Sequence, residues 1–176
     1  MVEAVIEAVR INVVNDQHVV ILKEATGPRV VPIWIGPDVA HAIAIVLRGA
    51  EVSRPLTHDL LRAAIHEMGG TIHRAIINDL KDSIFFAIVE VDQDGKRLQI
   101  DARSSDAIAL AVRAQCPIFV EEHVLDQAGF AMPGEESEEA AASAEQQPEP
   151  IDNERLSVFR DFINNLDIDD PKRENQ

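Results

Sequence analysis

The sequence is poor in several features that would define a protein class. It holds one cysteine, Cys116, among 176 residues, so no internal disulfide can form. No stretch approaches the roughly 20 uninterrupted apolar residues that cross a bilayer. The first ten residues carry Glu3 and Glu7 where a secretory signal would carry lysines. These absences predict a cytoplasmic protein without a membrane segment, with Cys116 as a small core residue.

Positive charge is also scarce. Lysine and arginine number 16 against 31 acidic residues, which gives a net charge of -15. Residues 135–176 hold 13 acidic and 4 basic side chains, so the net charge is -9 there and -6 for residues 1–134. No basic stripe exists to hold a polynucleotide by bulk charge. Any polynucleotide would have to be held by a few placed arginines or by a bound metal.

The common cofactor motifs are missing as well. The chain has no internal repeat, no phosphate-binding P-loop and no dinucleotide glycine pattern. Its six histidines include no pair at the i, i+4 spacing of a helical zinc site, and no serine sits in a glycine-flanked elbow. The sequence therefore predicts neither a nucleotide cofactor nor a zinc site nor a serine triad.

Hydrophobic periodicity predicts an α+β domain with a mixed, largely antiparallel sheet and packed helices. The predicted strands are residues 2–14, 19–23, 30–35, 71–80, 83–91, 97–102 and 118–120. The predicted helices begin at Pro37, at Thr57 as N-cap, behind Ser104 and Ser105 as caps, and at Glu121. The dipeptide Asp94-Gly95 predicts a hairpin turn.

Composition divides the chain into three parts. Residues 1–130 form the predicted α+β domain. Residues 131–151 are predicted to be a disordered acidic linker, because they hold almost no large apolar side chain. Residues 152–176 carry apolar side chains at helical spacing, which predicts a short amphipathic helix followed by a polar tail.

Two segments, residues 54–59 and 101–106, carry the richest chemistry. Each places an arginine, a hydroxyl and a carboxylate at the start of a predicted helix. Free N–H groups and the positive helix end favour an anion such as phosphate there, and arginine adds a bidentate contact. Carboxylates beside it favour Mg²⁺ or Mn²⁺, and His58 is suited to move a proton near neutral pH. The alternative interpretation is structural, with the hydroxyls as N-caps worth about 1 kcal/mol each.

Four blocks stand out, namely residues 32–36 (PIWIG), 42–44 (AIA), 54–60 (RPLTHDL) and 101–111 (DARSSDAIALA). In these blocks and in their order and spacing, the chain resembles the bifunctional nuclease family domain over about residues 1–130. The resemblance implies a bacterial protein with plant relatives and an α+β domain that forms homodimers or larger homo-oligomers. It also implies nuclease activity on RNA and DNA with little sequence preference.

Carried onto this sequence, the resemblance yields three sets of matching polar residues, with roles inferred from side-chain chemistry. The predicted catalytic residues are His58, Asp59, Asp101 and Asp106. The predicted phosphate-binding residues are Arg54, Thr57, Arg103 and Ser105. The predicted ligands of Mg or Mn are Asp59, Asp101 and Asp106.

The chain departs from the family pattern at three positions. The family usually has glutamate where Val39 stands, proline where Ser104 stands and tyrosine where Phe86 stands. Either those positions serve the reaction and this member is weak, or they are structural. A different class of function stays open as well, namely a non-catalytic oligomeric module that binds a protein partner. The net negative charge of the chain favours the module, and the motif match favours the nuclease.

Overall fold

The computed structural model describes residues 1–12 and 17–131. Within that part of the chain the strands are β1 (Val2–Asn12), β2 (Gln17–Glu24), β3 (Arg29–Ile35), β4 (Gly70–Lys81), β5 (Ile84–Gln93), β6 (Lys96–Arg103), β7 (Ile118–Val120) and β8 (Phe130–Ala131). The helices are α1 (Pro37–Leu47), α2 (Thr57–Glu67), α3 (Ser104–Ala114) and α4 (Glu122–Ala128). None of these helices is long and apolar enough to span a bilayer.

All eight described strands form one sheet in the order β6-β5-β4-β7-β1-β2-β3-β8. Strands β1, β2 and β3 form an antiparallel meander, and β4, β5 and β6 form a second one. Asp94 and Gly95 join β5 to β6 with positive φ angles of 49° and 74°, as a tight turn of the primed type requires. Only β4 and β7 run parallel. The predicted α+β fold with a mixed, largely antiparallel sheet is confirmed.

Strand β8 was not predicted. Its two residues pair with the start of β3, where Phe130 stands opposite Val30. Two residues are too few for a periodic pattern, and their partner lies 100 positions away in the chain. The predicted linker beyond Ala131 and the predicted helix in residues 152–176 lie outside the described residues.

The starts of α2 and α3 differ from the prediction in their caps. Thr57 and Ser104 are the first helical residues, and Leu56 and Arg103 occupy the N-cap positions without a side-chain capping bond. The predicted caps Thr57, Ser104 and Ser105 are therefore wrong. In α2 the carboxylate of Asp59 accepts the Leu56 N–H at 2.9 Å, so the acid in the first turn satisfies the free donor.

The main core cluster joins the four helices to one face of the sheet, with Val20 and Leu22 among its strand residues. Val19 and Ile21, on the other face of β2, are buried as well. Helix α3 is buried along most of its length, as its apolar sequence predicts, and it packs against α1, α2, β4 and β5. Cys116 is half-buried at the margin of this core, and burial raises the pKa of its thiol. Because α3 follows β6 directly, the end of that strand lies beside the starts of the helices.

Candidate active site

An open cleft of about 1300 Å³ lies where the first turns of three helices meet the end of β6. Its polar lining residues are Asp38, His41, Thr57, His58, Asp101, Arg103 and Asp106. The N-termini of α1, α2 and α3 all border this cleft. Each terminus presents unpaired N–H groups and the positive end of a helix dipole. These termini add positive potential to a cleft that also holds the carboxylates of Asp38, Asp101 and Asp106.

The two segments singled out in the sequence meet inside this cleft. His58 Nε2 lies 3.0 Å from Asp106 Oδ1, although the two residues are 48 positions apart. Arg103 binds the same carboxylate in a bidentate manner, from Nε to Oδ2 at 2.6 Å and from its terminal nitrogen to Oδ1 at 3.0 Å. Asp106 thus joins the start of α2 to the end of β6.

Asp106 is an ionised carboxylate near neutral pH. Partial burial by itself raises its pKa, but the hydrogen bonds from Arg103 and His58 outweigh that effect, so the pKa of Asp106 lies below its usual range. The hydrogen bond to Asp106 in turn raises the pKa of Arg103. The Arg103 side chain nevertheless stays 74% exposed, so its guanidinium can reach a ligand in the cleft.

A proton on His58 lies in the hydrogen bond that joins its Nε2 to Asp106. An ionised carboxylate only accepts hydrogen bonds, so Nε2 of His58 must be the donor. The residue is 7% exposed, and its Nδ1 is buried without a hydrogen-bond partner among the described residues. This arrangement orients Asp106 and leaves neither ring nitrogen of His58 open to bulk water.

Asp59 lies apart from the cleft lining, although it follows His58 directly. Its Oδ1 accepts a 2.7 Å hydrogen bond from Arg113 Nε, and its Oδ2 accepts the Leu56 N–H. Burial raises the pKa of Asp59, but these bonds and the charge of Arg113 bring it below the usual range. Both oxygens are used within the protein, and the predicted roles of Asp59 in catalysis and metal binding stay untested.

Asp101 borders the cleft from the edge strand β6. It stands opposite Ile88 on β5 and shares its sheet face with Gln99, whose side chain donates to Glu90 Oε1 at 3.1 Å. The Asp101 carboxylate is exposed and has no hydrogen-bond or ion-pair partner within residues 1–12 and 17–131. It is therefore available to a ligand that approaches the strand edge.

The remaining predicted phosphate-binding residues occupy different environments. Thr57 is exposed and lines the cleft, whereas Arg54 is exposed in the loop before it and does not line the cleft. Ser105 is buried in the first turn of α3 and is absent from the lining. Of these three, Thr57 is the one in position to meet a ligand in the cleft.

Sequence reasoning missed two polar residues of the lining, Asp38 and His41. Both lie in the first turns of α1, three positions apart, which places them on one side of that helix. Their signal was an acid directly after a helix-opening proline, followed by a histidine at i+3. The buried Arg113 was also missed, because it lies in an otherwise apolar helical stretch.

The three departures from the family pattern lie near this site. Val39 lines the cleft, and Ser104 is buried at the start of α3. Phe86 pairs across strands with Arg103, and its ring centre lies 5.9 Å from the Lys81 ammonium. All three are in position to affect the cleft or its supporting residues.

The donor chemistry of the cleft suits a hard divalent cation. Asp38, Asp101 and Asp106 offer carboxylate oxygens, the ligand type that Mg²⁺ and Mn²⁺ prefer. Both oxygens of Asp106 are engaged by His58 and Arg103. In the part of the chain that the structure describes, no three acidic, histidine or cysteine side chains already form a metal-binding group.

Comparison with known proteins finds a match to the family model described as "Bifunctional nuclease domain" over residues 20–133. Two proteins of Mycobacterium tuberculosis are 37% identical over 172 residues, which is 98% of this chain and 99% of each relative. They are "Uncharacterized protein MT1877" of strain CDC 1551 / Oshkosh and "Uncharacterized protein Rv1829" of strain ATCC 25618 / H37Rv.

Proposed function

The chain belongs to the bifunctional nuclease domain family, and on that premise we propose that it hydrolyses phosphodiester bonds of RNA and DNA without reading their sequence. The observation that carries this proposal is the His58–Asp106–Arg103 arrangement at the meeting point of three helix N-termini. It combines an ionised acid, an exposed guanidinium and backbone donors in one cleft. These are the groups that a phosphodiester and its attacking water require.

Arg103 is the proposed phosphate ligand. Its fork geometry matches two phosphate oxygens, and its exposure lets it turn from Asp106 toward the substrate. Thr57 and the N–H groups of the helix starts add donors on the opposite wall. In the transition state these fixed donors stabilise the extra negative charge on the phosphate.

Asp106 and Asp101 are the proposed ligands of Mg²⁺ or Mn²⁺, with Asp38 as a third carboxylate on the same cleft. Such a metal, when bound, lowers the pKa of a coordinated water and neutralises phosphate charge. Asp59 is left out of this set because it does not line the cleft and its oxygens face Arg113 and the Leu56 N–H. His58 is a positioning residue that orients Asp106 and keeps it ionised.

The negative charge of the chain favours a second candidate. With a net charge of -15, the protein could serve as a non-catalytic oligomeric module that binds a protein partner. In that case the ion pairs around Asp106 would only hold α2, α3 and β6 together. The two functions differ in whether the protein turns over nucleic acid.

The test is the degradation of labelled RNA and DNA strands by purified protein with Mg²⁺ or Mn²⁺. We expect cleavage that EDTA abolishes and that Asp106→Asn reduces at least 100-fold, the usual effect of losing a key charged group. Asp82→Asn, in the exposed turn between β4 and β5, is the matched control and should retain full activity. Unchanged cleavage by Asp106→Asn would point to a contaminating nuclease and contradict the proposal.

A further inference from the structure

The cleft has an apolar half that the proposed chemistry does not use. Leu61 on α2, Met68 directly after α2 and Ile100 on β6 line it and are 45%, 67% and 45% exposed. Buried Val89 and Leu110 also border this half of the cleft. We call Leu61, Met68 and Ile100 the apolar shelf. Exposed apolar side chains grouped beside a polar site are typical of a binding surface.

The shelf continues the wall of the cleft that α2 forms. His58, Leu61, Ile65 and Met68 follow one another at spacings of three, four and three residues, so they form a single stripe along the helix. The stripe is polar at the helix start and apolar toward the helix end. A ligand bound along it would meet polar groups at one end and apolar side chains at the other.

The opposite wall of the cleft, on β6, also contributes both apolar and polar lining residues. Ile100 and Ala102 share the inner face of β6, opposite the buried Val89 and Ala87, and the strand ends at Arg103. Two residues stand between Ile100 and Arg103, so the two positions lie about 10 Å apart along the strand. The α2 stripe runs over about 15 Å from His58 to Met68.

We propose that the apolar shelf holds an unpaired nucleobase of the substrate, and that the enzyme acts on single-stranded rather than duplex nucleic acid. This inference rests on the proposed nuclease function. A base within a duplex is stacked on both faces, so apolar side chains can cover only a base that has left the stack. The thioether of Met68 is flexible enough to pack on any of the bases. Such contacts carry no sequence readout.

The negative charge of the chain limits what phosphate contacts can contribute to binding a strand. Residues 1–134 have a net charge of -6, and the cleft itself holds three carboxylates beside one arginine. Phosphate contacts alone would therefore bind a strand weakly, and burial of a base has to supply the rest of the binding free energy. A strand held at one or two phosphates loses affinity with salt at a slope near -1 in a double-logarithmic plot, whereas a basic groove with six or more contacts has a slope of about -4 or steeper.

Equilibrium binding of labelled strands tests the proposal independently of cleavage. The probes are an oligothymidylate, an abasic strand of the same length and charge, and a duplex, each titrated by fluorescence anisotropy in Ca²⁺ and again in EDTA. We expect the oligothymidylate to bind about tenfold more tightly than either of the others, the low end of what one stacked base contributes. The double variant Leu61→Asn/Met68→Gln should reduce that preference to less than twofold.

Leu60→Asn is the matched control. Leu60 precedes Leu61 on the same helix and is also exposed, but it does not line the cleft. This variant should keep the tenfold preference and the shallow salt slope. Equal loss in the control would show that the effect comes from the helix and not from the shelf.

The outcomes separate this inference from the function on which it rests. Equal binding of all three probes, with cleavage intact, would overturn the shelf as a base site and leave the nuclease proposal standing. No binding of any probe, together with no cleavage, would overturn both. A double variant that changes its oligomeric state on a sizing column while binding oligothymidylate normally would assign the shelf to contact between copies of the chain and overturn the inference.

Discussion

Arg113 Nε donates a 2.7 Å hydrogen bond to Oδ1 of Asp59, and this contact separates the functions of two adjacent residues. The other nitrogens of Arg113 donate to the carbonyl oxygens of Ala109 and Ala42, so its buried guanidinium links α1, α2 and α3. Asp59 therefore stabilises the helix layer, whereas its neighbour His58 turns toward Asp106 in the cleft.

We expect Asp59→Asn to lower the free energy of unfolding by about 2–3 kcal/mol, because it leaves the buried Arg113 without a counter-charge. Urea denaturation monitored by circular dichroism measures this change. The protein that stays folded should keep most of its nuclease activity. Full stability combined with lost activity would instead make Asp59 a residue of the reaction.

Asp101→Asn should lower activity without lowering stability, the reverse of what we expect for Asp59→Asn. Its carboxylate is exposed and without a protein partner among the described residues, so the substitution should change stability by less than about 0.5 kcal/mol. We expect it to abolish metal-dependent cleavage. Activity assays and thermal unfolding on the same preparation check both statements, and wild-type activity in this variant would remove Asp101 from the site.

Arg103→Lys tests bidentate phosphate binding. Lysine keeps the charge but loses the planar fork, so we expect kcat/KM to fall about 100-fold on RNA and DNA alike. Arg97→Lys is the matched control, since Arg97 lies on the same strand and pairs with Asp92 away from the cleft. A similar loss in both variants would indicate a general effect on β6.

Stability should fall in acid partly through Asp106. The pKa of Asp106 is lowered in the folded state, so the unfolded chain binds the proton more readily and stability rises with pH across the titration. The contribution is complete above the unfolded value of about 4 and is lost as the pH falls through the lower folded value. Urea denaturation between pH 2 and pH 6 should give a smaller pH dependence for Asp106→Asn than for the wild type. Identical profiles would contradict the paired carboxylate.

Arg29 should be a second stabilising centre, remote from the cleft. It binds the buried Glu24 at 2.6 Å and reaches Glu122 at 2.7 Å and Asp126 at 3.1 Å on α4. Arg29→Met leaves Glu24 buried without its cation, so we expect a loss of about 3 kcal/mol in unfolding free energy. Asp126→Asn, at the exposed end, should cost less than about 0.5 kcal/mol. Equal effects of the two variants in urea denaturation would refute this ranking.

Local patterns were sufficient for most of the elements. The apolar β-branched runs of β2 and β3, the Asp94-Gly95 turn and the apolar face of α2 each depend on residues close in sequence, and the structure has them within a few positions of the predicted bounds. At α2 the cap was mispredicted because Asp59, and not Thr57, accepts a free N–H at the helix start. At α3 the helix begins at Ser104, so Arg103 takes the N-cap position. Sequence alone does not decide which residue takes that position.

The sequence by itself determined the α+β class, the helix starts rich in polar residues and the two polar segments, residues 54–59 and 101–106, which lie within family blocks. Only the tertiary structure decided that His58 meets Asp106, that Asp59 turns to Arg113, and that Asp38 joins the cleft. The tertiary structure also decided the parallel pairing of β4 with β7 and the short strand β8. The physical reason is that these contacts join residues far apart in the chain. Their energies depend on packing and burial, which short-range periodicity does not encode.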